Sequence, residues 1–166
     1  MARMFTHILV PTDFSGTADA ALEYARRLAR ASGATLHLLH VLEDPVTPSG
    51  LVAEMYTPEP PDLRPAMIKE AQTRLETRLF PKDPDYTTTS EVIFGTGART
   101  IADYAASAGV DLIVIGTHGR TGLKHFVMGS VAEEVVRTAP CPVLTVRHPG
   151  TAATIPATAA AGAALA

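Results

Sequence analysis

Asp111-Leu112-Ile113-Val114-Ile115-Gly116-Thr117-His118-Gly119-Arg120-Thr121-Gly122 is the stretch that decides the fold. Leu112 to Ile115 is aliphatic without polar alternation, the pattern of a strand buried on both faces of a parallel sheet. The run stops at glycine, and Gly116, Gly119 and Gly122 follow in quick succession, with Gly129-Ser130 a few residues on. Glycines at a strand's carboxyl end let the backbone approach a ligand closely, and a helix opening from such a loop adds the positive end of its dipole. The same glycines also fit a plain turn-rich connector. They do not fit a Walker A loop, because no Gly-x-x-x-x-Gly-Lys-Ser/Thr spacing occurs here.

Outward from this segment, short β-rich runs alternate with helical spacing. His7 to Pro11 predicts the first strand, closed by Thr12-Asp13. A helix follows from Ser15, an N-cap residue, with Ala18, Ala21, Leu22, Ala25, Leu28 and Ala29 on one face and Gly33 as its C-cap. Thr35 to Leu42 predicts the second strand, and the Pro- and acid-rich Glu43 to Pro65 an excursion over the surface. Ala66 to Phe80 resumes helical spacing, and Thr88 to Phe94 predicts the third strand. Gly95-Thr96-Gly97 turns into a helix in which Thr100 and Asp103 resemble a capping box, with Gly109 at its close. Asp111 to Ile115 is the fourth strand. A last helix begins near Gly129-Ser130, with Ser130 and Glu133 at capping-box spacing, and Val143 to Val146 is the fifth strand. Residues 1–148 thus form one domain, and 149–166, rich in Ala and Thr and without a charge, an expected disordered tail.

Strands and helices in alternation give an α/β fold with an open parallel sheet covered on both faces. Ligands of such sheets sit beyond the carboxyl ends of the strands, where strand order reverses. Composition narrows the function classes. Of the 166 residues 46% are apolar and 19% charged, the net charge is -3, and the 14 Lys and Arg are dispersed, which gives no electrostatic footprint for nucleic acid. No run of about 20 apolar residues predicts a membrane span, and the N-terminus has no secretory signal pattern, so the expected location is cytoplasmic. A single cysteine, Cys141, excludes an internal disulfide.

Few side chains compete for chemistry. Asp13, at the end of the first strand, faces the rim of the glycine loop; it accepts hydrogen bonds from a ribose or an adenine amine in one reading and caps the next helix in another. A receiver-type phosphoacceptor would need a second acid at Thr12, an acceptor Asp near Gly95 and a Lys near His148, and has none of them. Gly95-Thr96-Gly97 imitates the start of a dinucleotide fingerprint, but Thr100 stands where a third glycine belongs. His37 and His40 are three apart on a strand and face opposite sides, so the histidines predict no metal set. No Gly-x-Ser-x-Gly elbow occurs, and the glycine loop holds no Asp or Glu to position Mg²⁺ or water, so hydrolysis is expected to be slow or absent.

Gly116, two residues, Gly119, nine residues, Gly129-Ser130 resembles the nucleotide-binding signature of the universal stress protein family. Ile8-Leu9-Val10-Pro11-Thr12-Asp13-Phe14-Ser15 and Cys141-Pro142-Val143-Leu144-Thr145-Val146 are similar to that family as well, so the resemblance spans residues 4–147. It implies a three-layer α/β/α sandwich of the adenine nucleotide alpha hydrolase-like kind, with sheet order 3-2-1-4-5. It implies an ATP site, with ADP and AMP as alternatives and Mg²⁺ carried by the phosphates. In that site Asp13 and Val41 hold ribose and adenine, Pro11 and Thr12 shape their wall, and Ile115 and Gly116 floor the pocket. His118, Gly119, Arg120, Gly129, Ser130 and Val131 serve the phosphates. Ala132 departs from members with a hydroxyl there, at a cost on the order of 1 kcal/mol. The resemblance also implies a homodimer through strand 143–146, an exposed edge in that topology, and a nucleotide-responsive regulatory role towards an unknown protein client. Two alternatives are an interaction subunit that regulates a transporter or kinase without nucleotide, and an adenylating enzyme of the ATP-pyrophosphatase kind, for which Thr12 to Gly16 supplies too few glycines.

Overall fold

The computed structural model describes residues 4–43, 62–80, 82–117 and 128–147. Five strands form one parallel sheet: β1 (His7–Pro11), β2 (Thr35–Leu42), β3 (Thr88–Phe94), β4 (Leu112–Gly116) and β5 (Val143–Val146), in the order β3-β2-β1-β4-β5. Four helices cover it: α1 (Gly16–Ser32), α2 (Leu63–Leu79), α3 (Gly97–Ser107) and α4 (Ser130–Thr138). Strand periodicity assigns the two faces. Ile8, Val10, Leu36, Leu38, Leu112 and Val114 pack with α1 and α2, whereas Leu9, Leu39, Ile113 and Ile115 pack with α3 and α4. The expected three-layer order is therefore the observed one.

Local chemistry sets the ends. Ser15 caps α1, its Oγ accepting the Ala18 amide at 3.2 Å, and Gly33 closes the helix at φ 65, the left-handed conformation a C-cap requires. β4 begins at Leu112 rather than Asp111, α3 closes at Ala108 rather than Gly109, and the starts of three helices differ from expectation. α2 begins at Leu63 rather than Ala66, because Pro65 falls in the first turn, where a missing N–H leaves no helical bond unmade. Thr100 lies a turn inside α3, whose N-cap is Thr96, so Thr100 and Asp103 form no capping box. Ser130 is the first residue of α4 and Gly129 is its cap, with no side-chain cap bond, so Ser130 and Glu133 form none either. The tail and the centre of the glycine loop lie outside the described residues.

β1 and β4 diverge, and that divergence positions the site. Their register holds only at Ile8↔Leu112 and Leu9↔Ile113, against seven paired residues between β2 and β3. Below the split, Asp111 clamps the amino ends of the two strands. It accepts from the Thr6 amide and Thr6 hydroxyl, each at 2.7 Å, and from the His7 amide at 3.3 Å. Burial alone would raise this carboxyl; the bonds from Thr6 and His7 outweigh it and hold the group below the usual carboxylate range. Above the split the sheet opens into a crevice at the topological switch point.

Candidate functional site

The crevice is a cleft of about 410 Å³, within the range of small-molecule sites. Every expected site residue that is described lines it: Pro11, Thr12 and Asp13 from the β1 exit, Val41 from β2, Ile115 and Gly116 from β4, and Gly129, Ser130 and Val131 at the start of α4. His118, Gly119 and Arg120 lie outside the described residues. Leu39, Ile101 and Ala132 add an apolar wall on the α3 and α4 side, while Ser15, Ala18 and His40 line the α1 side.

Three helices begin at this cleft, and their first turns differ. α1 is closed by Ser15, whereas neither Thr96 before α3 nor Gly129 before α4 makes a side-chain cap bond. The Gly129 amide itself donates to the Thr117 carbonyl at 2.7 Å, and Gly129 caps α4 without a side chain. That bond also pinches together the two ends of the glycine loop. The first-turn amides of α4, from Ser130 to Ala132, have no acceptor within the helix, and among the described residues no capping side chain stands in front of them. An anion at such an end gains about 0.3–1 kcal/mol from the dipole in addition to its hydrogen bonds.

Close backbone approach fixes the walls. A Cβ on Gly116 would lie 2.9 Å from the carbonyl carbon, carbonyl oxygen and Cγ2 of Thr17, so only glycine lets the first turn of α1 lie against the end of β4. A Cβ on Gly97 would meet Val131 Cγ2 at 3.2 Å, so this glycine brings the α3 and α4 starts together. From sequence Gly97 reads as a turn residue. Its packing role depends on Val131, which is distant in the chain, and no local signal announces it. Leu39 was legible in principle, being two residues before Val41 and so on the same strand face.

Opposite α4 stands the turn leaving β1. The Phe14 amide donates to Thr12 Oγ1 at 3.0 Å, and the Ser15 amide donates to Asp13 Oδ1 at 3.0 Å. Between them Phe14 has φ 65, a left-handed conformation that costs a bulky residue roughly 1–3 kcal/mol and persists only where surrounding contacts impose it. His40 Nδ1 donates to the Thr12 carbonyl at 2.7 Å, and its ring lies 4.3 Å from that of Phe14. Asp13 thus buttresses the turn and lines the cleft, while the bond that caps α1 belongs to Ser15 rather than to Asp13.

On the far side of the sheet from His40, His37 is buried with its Nε2 3.0 Å from His7 Nδ1 and its Nδ1 3.0 Å from the Tyr104 hydroxyl. Burial first, and the neighbouring His7 second, push the His37 imidazole below its ordinary pKa. Among the described residues no group of three or more His, Cys, Asp or Glu could hold a metal ion, and no helix is long and apolar enough to cross a membrane.

An open, doubly wound α/β sheet with a glycine-capped helix facing a carboxylate across its switch point defines a class of small-ligand-binding domains. Comparison with known proteins narrows it. A family model described as the universal stress protein family matches residues 4–147. Universal stress protein YxiE of Bacillus subtilis is 38% identical over 149 residues, 87% of this chain and 100% of that protein. Universal stress protein MJ0577 of Methanocaldococcus jannaschii is 30% identical over 160 residues, 89% of this chain and 98% of that one. The MJ0577 structure has a TM-score of 0.72 and covers 87% of this chain and 96% of that chain. The structure of UspA from Lactobacillus plantarum, 31% identical, has a TM-score of 0.67 and covers 89% of this chain and 100% of that chain. The chain belongs to the universal stress protein family, with the adenine nucleotide alpha hydrolase-like fold that its sheet order defines.

Proposed function

We propose that this chain is a cytoplasmic ATP-binding regulatory subunit whose cleft at the β1–β4 split takes an adenine nucleotide. The observation that carries the reading is the first turn of α4 from Ser130, which has no side-chain cap and lines the same cleft as the Asp13 carboxylate. The apolar residues Pro11, Val41, Leu39 and Ile115 suit a purine face, Asp13 suits ribose hydroxyls as an acceptor, and the amides of Ser130 and Val131 suit a phosphate. When bound, the nucleotide supplies a polyanion; the chain's part is to hold it and to present a surface that differs between bound and free states. Any Mg²⁺ would travel with the phosphates, and Glu43 is a second carboxylate on the cleft wall.

β5 is an edge strand with Leu144 and Thr145 exposed, which fits pairing with a second copy in a regulatory homodimer. A crystal grown with a non-hydrolysable ATP analogue tests the reading. The purine is expected beside Val41, the phosphates over the start of α4, and β5 at a two-fold axis; a cleft left empty at saturating analogue refutes it. Sedimentation at micromolar concentration tests the pairing separately, and a monomer there contradicts it.

A further inference from the structure

Phe14 is held in its left-handed conformation from outside the cleft. Its ring is covered by the Arg74 guanidinium, with Cζ 4.0 Å from the centroid, and by that of Arg78, at 4.8 Å. Arg78 does more than stack. Its Nη2 donates to the Phe14 carbonyl at 3.3 Å, while its Nε donates to Asp19 Oδ1 at 2.7 Å in the first turn of α1. One half-buried side chain of α2 therefore grips both the strained residue and the helix that follows it.

The neighbours of Phe14 in sequence are the two ends of the Asp13 bond: the Ser15 amide that orients the carboxylate follows it, and Asp13 precedes it. A change of φ at Phe14 moves the Ser15 amide relative to Asp13 and turns the carboxylate with it. We propose that Arg78, assisted by Arg74, is a positioning residue for Asp13, so that recognition of the ribose hydroxyls depends on how α2 is seated. This rests on the nucleotide reading above and deepens it: α2, which contributes no described residue to the cleft wall, acts on the sugar end of the ligand and leaves the phosphate end at α4 alone.

The experiment compares two ligands, ATP and 2′,3′-dideoxy-ATP, which lacks the hydroxyls assigned to Asp13, on the full chain and on the variants Arg78→Met and Arg74→Met. Methionine keeps the aliphatic stem and removes the donors. Thermal unfolding of each variant verifies that it is folded, and Arg74→Met, which loses only the ring contact, serves if Arg78→Met unfolds. Arg78→Met is expected to weaken ATP roughly three- to tenfold, the coupling typical within one hydrogen-bond network, and to change dideoxy-ATP less than twofold. Arg74→Met is expected to show the same selectivity at smaller size. Equal losses for both ligands, or no loss for either, overturn the proposal while leaving the nucleotide reading standing. A wild-type chain that binds neither ligand overturns both.

Discussion

Substituting Gly116 by alanine isolates the contact that shapes the cleft floor. The added methyl would stand 2.9 Å from three atoms of Thr17, two of them backbone. Ordinary carbon contacts begin near 3.5 Å, so α1 and β4 must separate by several tenths of an ångström. Forced overpacking of this kind costs about 1–3 kcal/mol, or roughly 3–10 °C in melting temperature for a chain of this size. Because Ser15 and Gly116 both line the cleft, the displacement also reaches the site, and ATP affinity is expected to fall together with stability. Gly109→Ala is the control. At φ 62, with no heavy atom within 4 Å of where its methyl would stand, it carries only left-handed strain of about 1–2 kcal/mol, and ATP affinity should stay as in the wild type. Urea denaturation and ATP titration on both variants decide the matter. Gly116→Ala within about 0.5 kcal/mol of wild type, with undiminished affinity, would refute the close-approach reasoning.

Two further predictions concern pH. Asp111 has a depressed pKa in the folded chain, so its contribution is present above the ordinary carboxylate range and disappears as pH falls through the folded value. Asp111→Ala should therefore cost about 1–3 kcal/mol at pH 7 and progressively less in acid, measured by urea denaturation across pH. His37 has the opposite chemistry: its folded pKa lies below the unfolded value near 6.5, so stability is level above that pH and declines below it as the unfolded chain takes up the proton. The decline is at most about 1.4 kcal/mol per pH unit, and His37→Gln should flatten it between pH 6.5 and 5; an unchanged slope would assign the loss to other groups.

Much of the scaffold was legible because it rests on local pattern. The aliphatic runs around Ile8, Leu38, Ile113 and Leu144 are strands in the structure, and Ser15 and Gly33 bound α1 as residue chemistry requires. Helix starts were less legible where two residues could serve. Ser130 is the better capping side chain, yet Gly129 takes the cap because its amide is bound to Thr117 across the loop, a tertiary contact that no spacing encodes. The described members of the expected site, from Pro11 to Val131, converge on one cleft because sheet order brings the exits of β1 and β4 together. Gly97, Ile101 and His40 joined them unannounced, since each enters through packing between elements far apart in sequence. The left-handed Phe14 was the least readable feature. Nothing in a phenylalanine favours φ 65; the arginines that impose it stand some sixty residues later, as the separation of Arg78 from Phe14 shows.

If the α4 amides beside Gly129 hold a nucleotide phosphate, isothermal titration of ATP into the wild-type chain and into Gly129→Val reads that contact. One site per chain is expected, and the branched side chain added at this cleft-lining position is expected to push the phosphate off the α4 amides and weaken binding at least about tenfold, the size of losing hydrogen bonds to a charged group. Equal affinities for the two proteins, or no heat of binding from the wild type at millimolar ATP, would contradict the account.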